Sequence, residues 1–196
     1  MPPQSKISKD SLLQSASAII REQGSNALNA RSLAKKNGCS TQPIFSKFDS
    51  MEDVIGQVRE QEFEGFKAHF SESMQGESNP LVGAGMAFMS YAVENPNMFS
   101  FLFLEKNSGE ETGAPSVSFL KETLFSKDII TYVKNDSGLD EAYVKSVIGN
   151  FYYYLAGKAV TTVTLEENAT EEELRQEFKD FYKAYRKMYK KKDKEA

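Results

Sequence analysis

Residues 29–48 read NARSLAKKNGCSTQPIFSKF, and this stretch decides the architecture expected of its surroundings. Asn29 is a good N-cap, because its side-chain oxygen can accept one of the backbone N–H groups that a first helical turn leaves without a partner. Ala30 to Asn37 carries Leu33 and Ala34 and stops at Gly38, a residue at ease in the left-handed backbone that closes helices. Ser40 can cap a further helix over Thr41–Phe48, with Ile44, Phe45 and Phe48 as its apolar stripe. Pro43 falls in the first turn of that helix, where a missing N–H costs little.

Upstream, Leu12, Leu13, Ala16, Ile19 and Ile20 recur at helical spacing after Ser8 and Asp10, and Gly24 ends the run. The spacing predicts a helix from Ser8 to Gln23. One longer helix followed by two short ones across a glycine turn is the geometry of a helix-turn-helix, whose last helix enters the major groove of DNA.

Downstream, Met51 to Met74 reads as one long helix with Val54, Ile55, Val58, Phe63, Phe66 and Phe70 facing inward. Asn79 and Pro80 open a helix through Met86, Met89 and Val93, and Pro96 starts a short one through Phe99, Leu102 and Phe103. Lys106–Pro115 is polar and glycine-containing and is expected to be a flexible loop. Three helices are expected over Ser116–Asn135, Leu139–Leu165 and Thr170–Tyr189. The last opens with Thr170 and Glu173 at capping-box spacing and repeats Leu174, Phe178, Phe181, Tyr182, Tyr185, Met188 and Tyr189. The tail Lys190–Ala196 is charged and expected to fray. No segment alternates with period two, so the fold class is all-α. A helix-turn-helix domain over 1–50 precedes a larger helical domain over 51–196.

Composition narrows the function. The 196 residues are 40% hydrophobic and 27% charged, without the run of roughly 18 to 20 apolar residues that a membrane span needs. Met1–Asp10 is polar and lacks the apolar core of a secretory signal, so a cytoplasmic protein without membrane attachment is expected. The charged tail around Lys187–Lys194 lacks the amphipathic face of a membrane-surface helix. One cysteine, Cys39, and one histidine, His69, argue against disulfide, thiol and metal chemistry, and no cofactor is expected. His69 reads as a surface or boundary residue, and Glu62, Glu64 and Glu72 nearby read as a solvated face. With no Gly-rich phosphate loop, nucleophile elbow or HExxH motif, an enzyme is not expected.

The net charge of −4 hides a division along the chain. Up to Ser50, seven basic residues (Lys6, Lys9, Arg21, Arg31, Lys35, Lys36, Lys47) face three acidic ones (Asp10, Glu22, Asp49), a net of +4, while the remainder carries −8. A basic head on an acidic body suits a protein that touches DNA at one end.

Across Leu12–Val54 the chain resembles the DNA-binding domain of the TetR family of transcriptional regulators. The resemblance lies in Gly24, NARSLAKKNG over Asn29–Gly38, CSTQPIFSKF over Cys39–Phe48, and Asp49–Val54. More weakly, AFMSYAVENPNMFSFLF over Ala87–Phe103 resembles the effector domain of one subgroup. The resemblance implies DNA contacts from the start of the second helix and the face of the third: Asn29, Arg31, Ser40, Thr41, Gln42, Phe45, Ser46 and Lys47. Arg31 and Lys47 would pair with phosphates, while Thr41 and Gln42 could read base edges. For Asn29 and Ser40 helix capping is an equal reading, compatible with DNA contact. Leu33, Ile44 and Phe48 read as core.

Two positions depart from the family pattern. Phe45 stands where a tyrosine hydroxyl usually reaches a phosphate, and Met51 where a lysine usually opens the fourth helix. Both losses weaken affinity without removing base readout, and Lys6, Lys35 and Lys36 are candidates to compensate. In the penultimate helix, Ala156–Gly157 replaces a His-Gly pair, which removes any ligand role that histidine would carry.

The resemblance also implies a body that encloses a small, apolar effector and pairs with a second copy. Met86, Met89, Phe99, Phe103, Phe119, Tyr152 and Tyr153 are the candidate effector contacts, although residues of these types at helical spacing more often serve core packing. Phe178, Phe181, Tyr185 and Tyr189, with Gly149, Ala156 and Gly157, are candidates for a homodimer interface through the last two helices, or for packing within the body. The function expected is a repressor released from a palindromic operator when its effector binds, with the long fourth helix carrying the signal. The rival reading is a helical protein-interaction module that has lost DNA binding.

Overall fold

The structure, a computed structural model, describes residues 7–105, 115–165 and 169–195, and of 115–117 and 191–195 the backbone alone. Met1–Lys6 and almost all of the expected loop Lys106–Pro115 fall outside the described residues. Among the described residues every regular element is helical, and there is no strand. The described residues within Met1–Phe66 and Asn95–Glu111 form one compact unit, and those within Lys67–Glu94 and Thr112–Ala196 form another.

In the first unit, helix α1 (Lys9–Gln23) starts where the Ser8 hydroxyl accepts from the Ser11 N–H at 3.0 Å and ends on Gly24, at φ +83°. Leu12, Ala16 and Ile20 on it are fully buried, and the helix packs on residues 25–27 and 30–36 that follow. Helix α2 (Ala30–Lys36) is closed by paired C-terminal hydrogen bonds. Cys39 N–H donates to Ala34 C=O at 3.0 Å and Gly38 N–H to Lys35 C=O at 3.2 Å, with Gly38 at φ +63°. That pair of bonds requires a residue with positive φ between them, and glycine adopts it without a steric penalty.

Helix α3 (Gln42–Phe45) is shorter than the Thr41–Phe48 expected, and Ser40 does not cap it. Thr41 already has helical backbone (φ −75°, ψ −15°) and its carbonyl accepts from Ile44 at 3.1 Å, so the chain has turned before a Ser40 cap could act. At the other end the Ser46 hydroxyl donates to Pro43 C=O at 2.8 Å, and Lys47 N–H bonds three residues back to Ile44, tightening the last turn.

Helix α4 (Met51–Ser73) opens on Ser50, whose hydroxyl accepts from Asp53 N–H at 3.2 Å, while the Asp53 carboxylate accepts from Asp49 N–H at 3.1 Å. Of its expected inward residues Val54, Val58, Phe66 and Phe70 are buried, and Ile55 and Phe63 are half-buried. Met51–Phe66 belongs to the first unit and Lys67–Ser73 to the second. The short helix α6 (Pro96–Phe99) continues into a π-helical turn over Ser100–Leu104 and packs on α1, completing the first unit.

In the second unit, helix α5 (Pro80–Glu94) starts as expected. The Asn79 side chain accepts from Leu81 N–H at 3.0 Å and Val82 N–H at 3.3 Å. Every residue from Leu81 to Met89 is buried, as a central helix requires. The backbone at Gly85 lies so close to its neighbours that a Cβ there would meet the Phe151 ring at 2.9 Å and the Phe178 ring at 3.0 Å.

The single helix expected over Ser116–Asn135 is two helices, α7 (Pro115–Leu124) and α8 (Lys127–Ser137). Ser126 turns extended between them (φ −63°, ψ 153°), without a side-chain cap and with no glycine or proline beside it. Helices α9 (Glu141–Leu165) and α10 (Glu171–Glu195) follow. The expected capping box is present, with Thr170 N–H donating to the Glu173 carboxylate at 2.8 Å and Glu173 N–H to the Thr170 hydroxyl at 3.3 Å. The Thr170 N–H first, and after it the Thr170 hydroxyl donating to the same carboxylate at 2.7 Å, hold the Glu173 carboxyl below the usual carboxylate range. The expected frayed tail is instead helical backbone as far as Glu195.

Candidate functional site

The α2–α3 corner buries its large apolar side chains with the exception of Phe45. Leu33, Ile44 and Phe48 are buried in the first unit, as their core reading requires. On the outside stand Asn29, Arg31, Ser40, Gln42, Phe45, Ser46 and Lys47, all exposed, with Thr41 half-buried at the corner. The eight candidate DNA contacts therefore lie in one unit, seven of them exposed.

Asn29 is committed to structure. Its Oδ1 accepts from Arg31 N–H and Ser32 N–H, each at 3.0 Å, and its own N–H donates to the Ser32 hydroxyl at 3.0 Å. This reciprocal box fixes the first turn of α2 and aims Arg31 outward. No described residue forms an ion pair with Arg31, Lys35 or Lys47, whereas Lys36 is held by Glu22 at 3.1 Å. Lys9 lies over the Phe48 ring at 5.2 Å. Arg31, Lys35 and Lys47 are thus three exposed cations on one short segment, in a unit whose described residues carry nine acidic side chains against seven basic ones.

Phe45 is half-exposed, with 50% of its surface open on the outer side of α3. A phenyl ring there is expensive to keep in water unless it is covered by something else. Met51, the other departure from the family pattern, is half-buried at the start of α4 and offers no charge to that surface.

The seven candidate effector contacts are dispersed. Phe99 and Phe103 stack on one another in the first unit with ring centroids 4.7 Å apart. In the second unit Met89 is fully buried, Phe119 packs edge-on against Phe70 at 5.4 Å, and Tyr153 is 74% exposed with Tyr152 against it at 5.2 Å.

Met86 alone among them lines a cleft of about 380 Å³ in the second unit, walled by the end of α4, by Glu77, by α5 and by the start of α10. His69 and Ser73 of α4 form one wall, where the His69 Nε2 lies 3.1 Å from the Ser90 hydroxyl and 3.4 Å from that of Ser73. The His69 ring meets Tyr91 edge-on at 5.5 Å. On the α10 side Arg175 pairs with Glu77 and, at 2.6 Å, with Glu171.

His69 thus lies at a boundary, as read, but on a cleft. Sequence reading missed the cleft because it sought aromatic and methionine stripes. The usable signal was Ser90, a hydroxyl interrupting the otherwise apolar run of α5. Glu62, read as part of a solvated face, is instead only 13% exposed and is held by Arg21 and Ser17.

Among the described residues no three His, Cys, Asp or Glu side chains are gathered as a metal ion needs, and no helix is long and apolar enough to cross a membrane. No protein-family model matches the chain, and no curated protein matches its sequence.

Proposed function

We propose that the chain is a sequence-specific DNA-binding regulator of the TetR kind, acting in the cytoplasm as a homodimeric repressor that a small-molecule effector releases from a palindromic operator. The observation that carries this reading is the α2–α3 corner. Leu33, Ile44 and Phe48 are buried there, while Arg31, Gln42, Phe45 and Lys47 are exposed. On this reading α3 enters the major groove of double-stranded DNA. Arg31 and Lys47 bind phosphates, Gln42 pairs with an adenine edge, and the Phe45 ring covers a thymine methyl group instead of donating to a phosphate.

Dimerisation through α9 and α10 is part of the proposal. Its support is the apolar surface those helices leave open: Tyr153 at 74%, Leu165 at 66%, Met188 at 41% and Val160 at 38% exposure. Isologous pairing through such a face would present two α3 helices to two half-sites. The same surface favours the second reading, a helical interaction module without DNA binding.

Selection of bound duplexes from a random pool, followed by sequencing, separates the two. Enrichment of a palindrome, lost in a Gln42→Ala, Lys47→Ala double variant, is the expected result. A folded chain that enriches no sequence would make the interaction module the better account.

A further inference from the structure

The cleft of the second unit has its own charge and shape, and they differ from those of the apolar effector expected from the sequence. Its apolar surface comes from Met86, Ala87, Val93 and Leu174. Its charged groups include Glu77, Glu94 and Glu171 against the single guanidinium of Arg175, three carboxylates to one cation.

Arg175 is already shared by two carboxylates, Glu77 and Glu171. An anionic ligand would have to displace one of them. No described residue forms an ion pair with Glu94, which is exposed at the end of α5. A volume of about 380 Å³ falls within the range, roughly 300–1,000 Å³, of pockets that enclose small organic ligands.

We infer that this cleft binds a small organic ammonium ion, whose apolar body lies on Met86, Val93 and Leu174 and whose charge is taken by Glu94 and Glu171. The inference deepens the effector part of the proposed function by naming the ligand class and its site, and it concerns binding alone. A charge-assisted contact to a carboxylate is stronger than one between neutral groups. Removing the charge from the ligand should therefore cost more than removing apolar atoms distant from it.

Isothermal titration of the full chain, without DNA, with 2-phenylethylamine, 2-phenylethanol and 3-phenylpropanoate tests this directly. The three probes share a ring and a two-carbon linker but differ in charge. The ammonium ion is expected to bind at least about tenfold more tightly than the alcohol, and the carboxylate not at all. Glu94→Gln and Glu171→Gln should each weaken the amine severalfold and leave the alcohol unchanged. Both positions are exposed, so Glu94→Gln is expected to melt with the parent, and Glu171→Gln, which loses a surface ion pair with Arg175, only slightly below it. Equal affinity for amine and alcohol, tighter binding of the carboxylate, or no binding of any probe at millimolar concentration would each overturn the inference. Because no DNA is present, those outcomes leave the nucleic-acid reading untouched, and failure to bind DNA leaves the titration unaffected.

Discussion

The guanidinium of Arg21, in the last turn of α1, lies 2.6 Å from the carboxylate of Glu62 on α4. Ser17 donates to the same carboxylate, and Arg21 also donates to the Asn95 side chain, while its carbonyl accepts from the Asn97 amide at 3.1 Å. One arginine thus joins α1, α4 and the segment that opens α6, all within the first unit.

Arg21→Ala should destabilise the first unit by roughly 1–3 kcal/mol, because it leaves the mostly buried Glu62 carboxylate with the Ser17 hydroxyl alone. The Arg21 side chain is 43% exposed, which places the expectation towards the lower end of that range. Urea unfolding of Arg21→Ala, Glu62→Gln and the double variant measures the coupling. Strict additivity of the two single effects would show that the pair contributes nothing.

Gly85→Ala tests the packing of the second unit. An added methyl group meets two aromatic rings, Phe151 and Phe178, at 2.9 and 3.0 Å, and both belong to the fully buried core. Rings in such a core have little room to retreat, so a loss of about 1–3 kcal/mol is expected. A thermal melt checks it, and an unchanged or raised Tm would mean that α5 does not approach α9 and α10 this closely.

Acid should loosen the second unit through Asp136. Its carboxylate accepts from the Tyr182 hydroxyl at 2.7 Å and pairs with Arg186, bringing α8 to α10. The Tyr182 hydrogen bond first, and Arg186 after it, hold the Asp136 carboxyl below the usual carboxylate range. A carboxyl whose pKa is lower in the folded chain than in the unfolded one stabilises fully above the unfolded value, about 3.9. That stabilisation is lost as pH falls through the folded value. Tm should therefore fall below about pH 4, and Asp136→Asn should flatten that fall while lowering Tm at neutral pH. An identical acid limb in the variant would assign the effect to other carboxylates.

Gln42 and Phe45 should act on sequence choice more than on stability. Both are exposed, and exposed substitutions of this kind change folding free energy by no more than about 0.5 kcal/mol. On the selected duplex Gln42→Ala is expected to cost about 1–3 kcal/mol and to relax preference at one base pair of each half-site. Phe45→Ser should relax preference for thymine at another. Competition among single-base variants of the duplex measures both, and a uniform loss across all variants would place these residues away from base edges.

What the sequence revealed depended on how locally each feature is determined. The boundaries of α1 and α2 were legible because Ser8, Gly24, Asn29 and Gly38 act on backbone groups a few residues away. The capping box at Thr170 and Glu173 was legible for the same reason. The early end of α3 was not, since it rests on a Ser46 hydroxyl choosing the Pro43 carbonyl, a bond that competes with helix and leaves no periodic trace. The break at Ser126 likewise lacks a glycine or proline to announce it. The cleft was hidden because its walls come from α4, α5 and α10, segments distant in sequence that only tertiary packing assembles. Glu62 was misread because helical periodicity cannot tell a solvated carboxylate from one held by an arginine on another helix.

Binding of DNA by the exposed cations of α2 and α3 would show itself in the salt dependence of affinity for the selected duplex, read by fluorescence anisotropy in the parent chain and in Lys47→Ala. The parent should show log K falling linearly with log salt, and the variant a shallower slope by about 0.9 for each copy's lost phosphate contact, with its preferred sequence unchanged. A folded chain whose association with duplex DNA is absent, or is the same at every salt concentration and in Lys47→Ala, would contradict it.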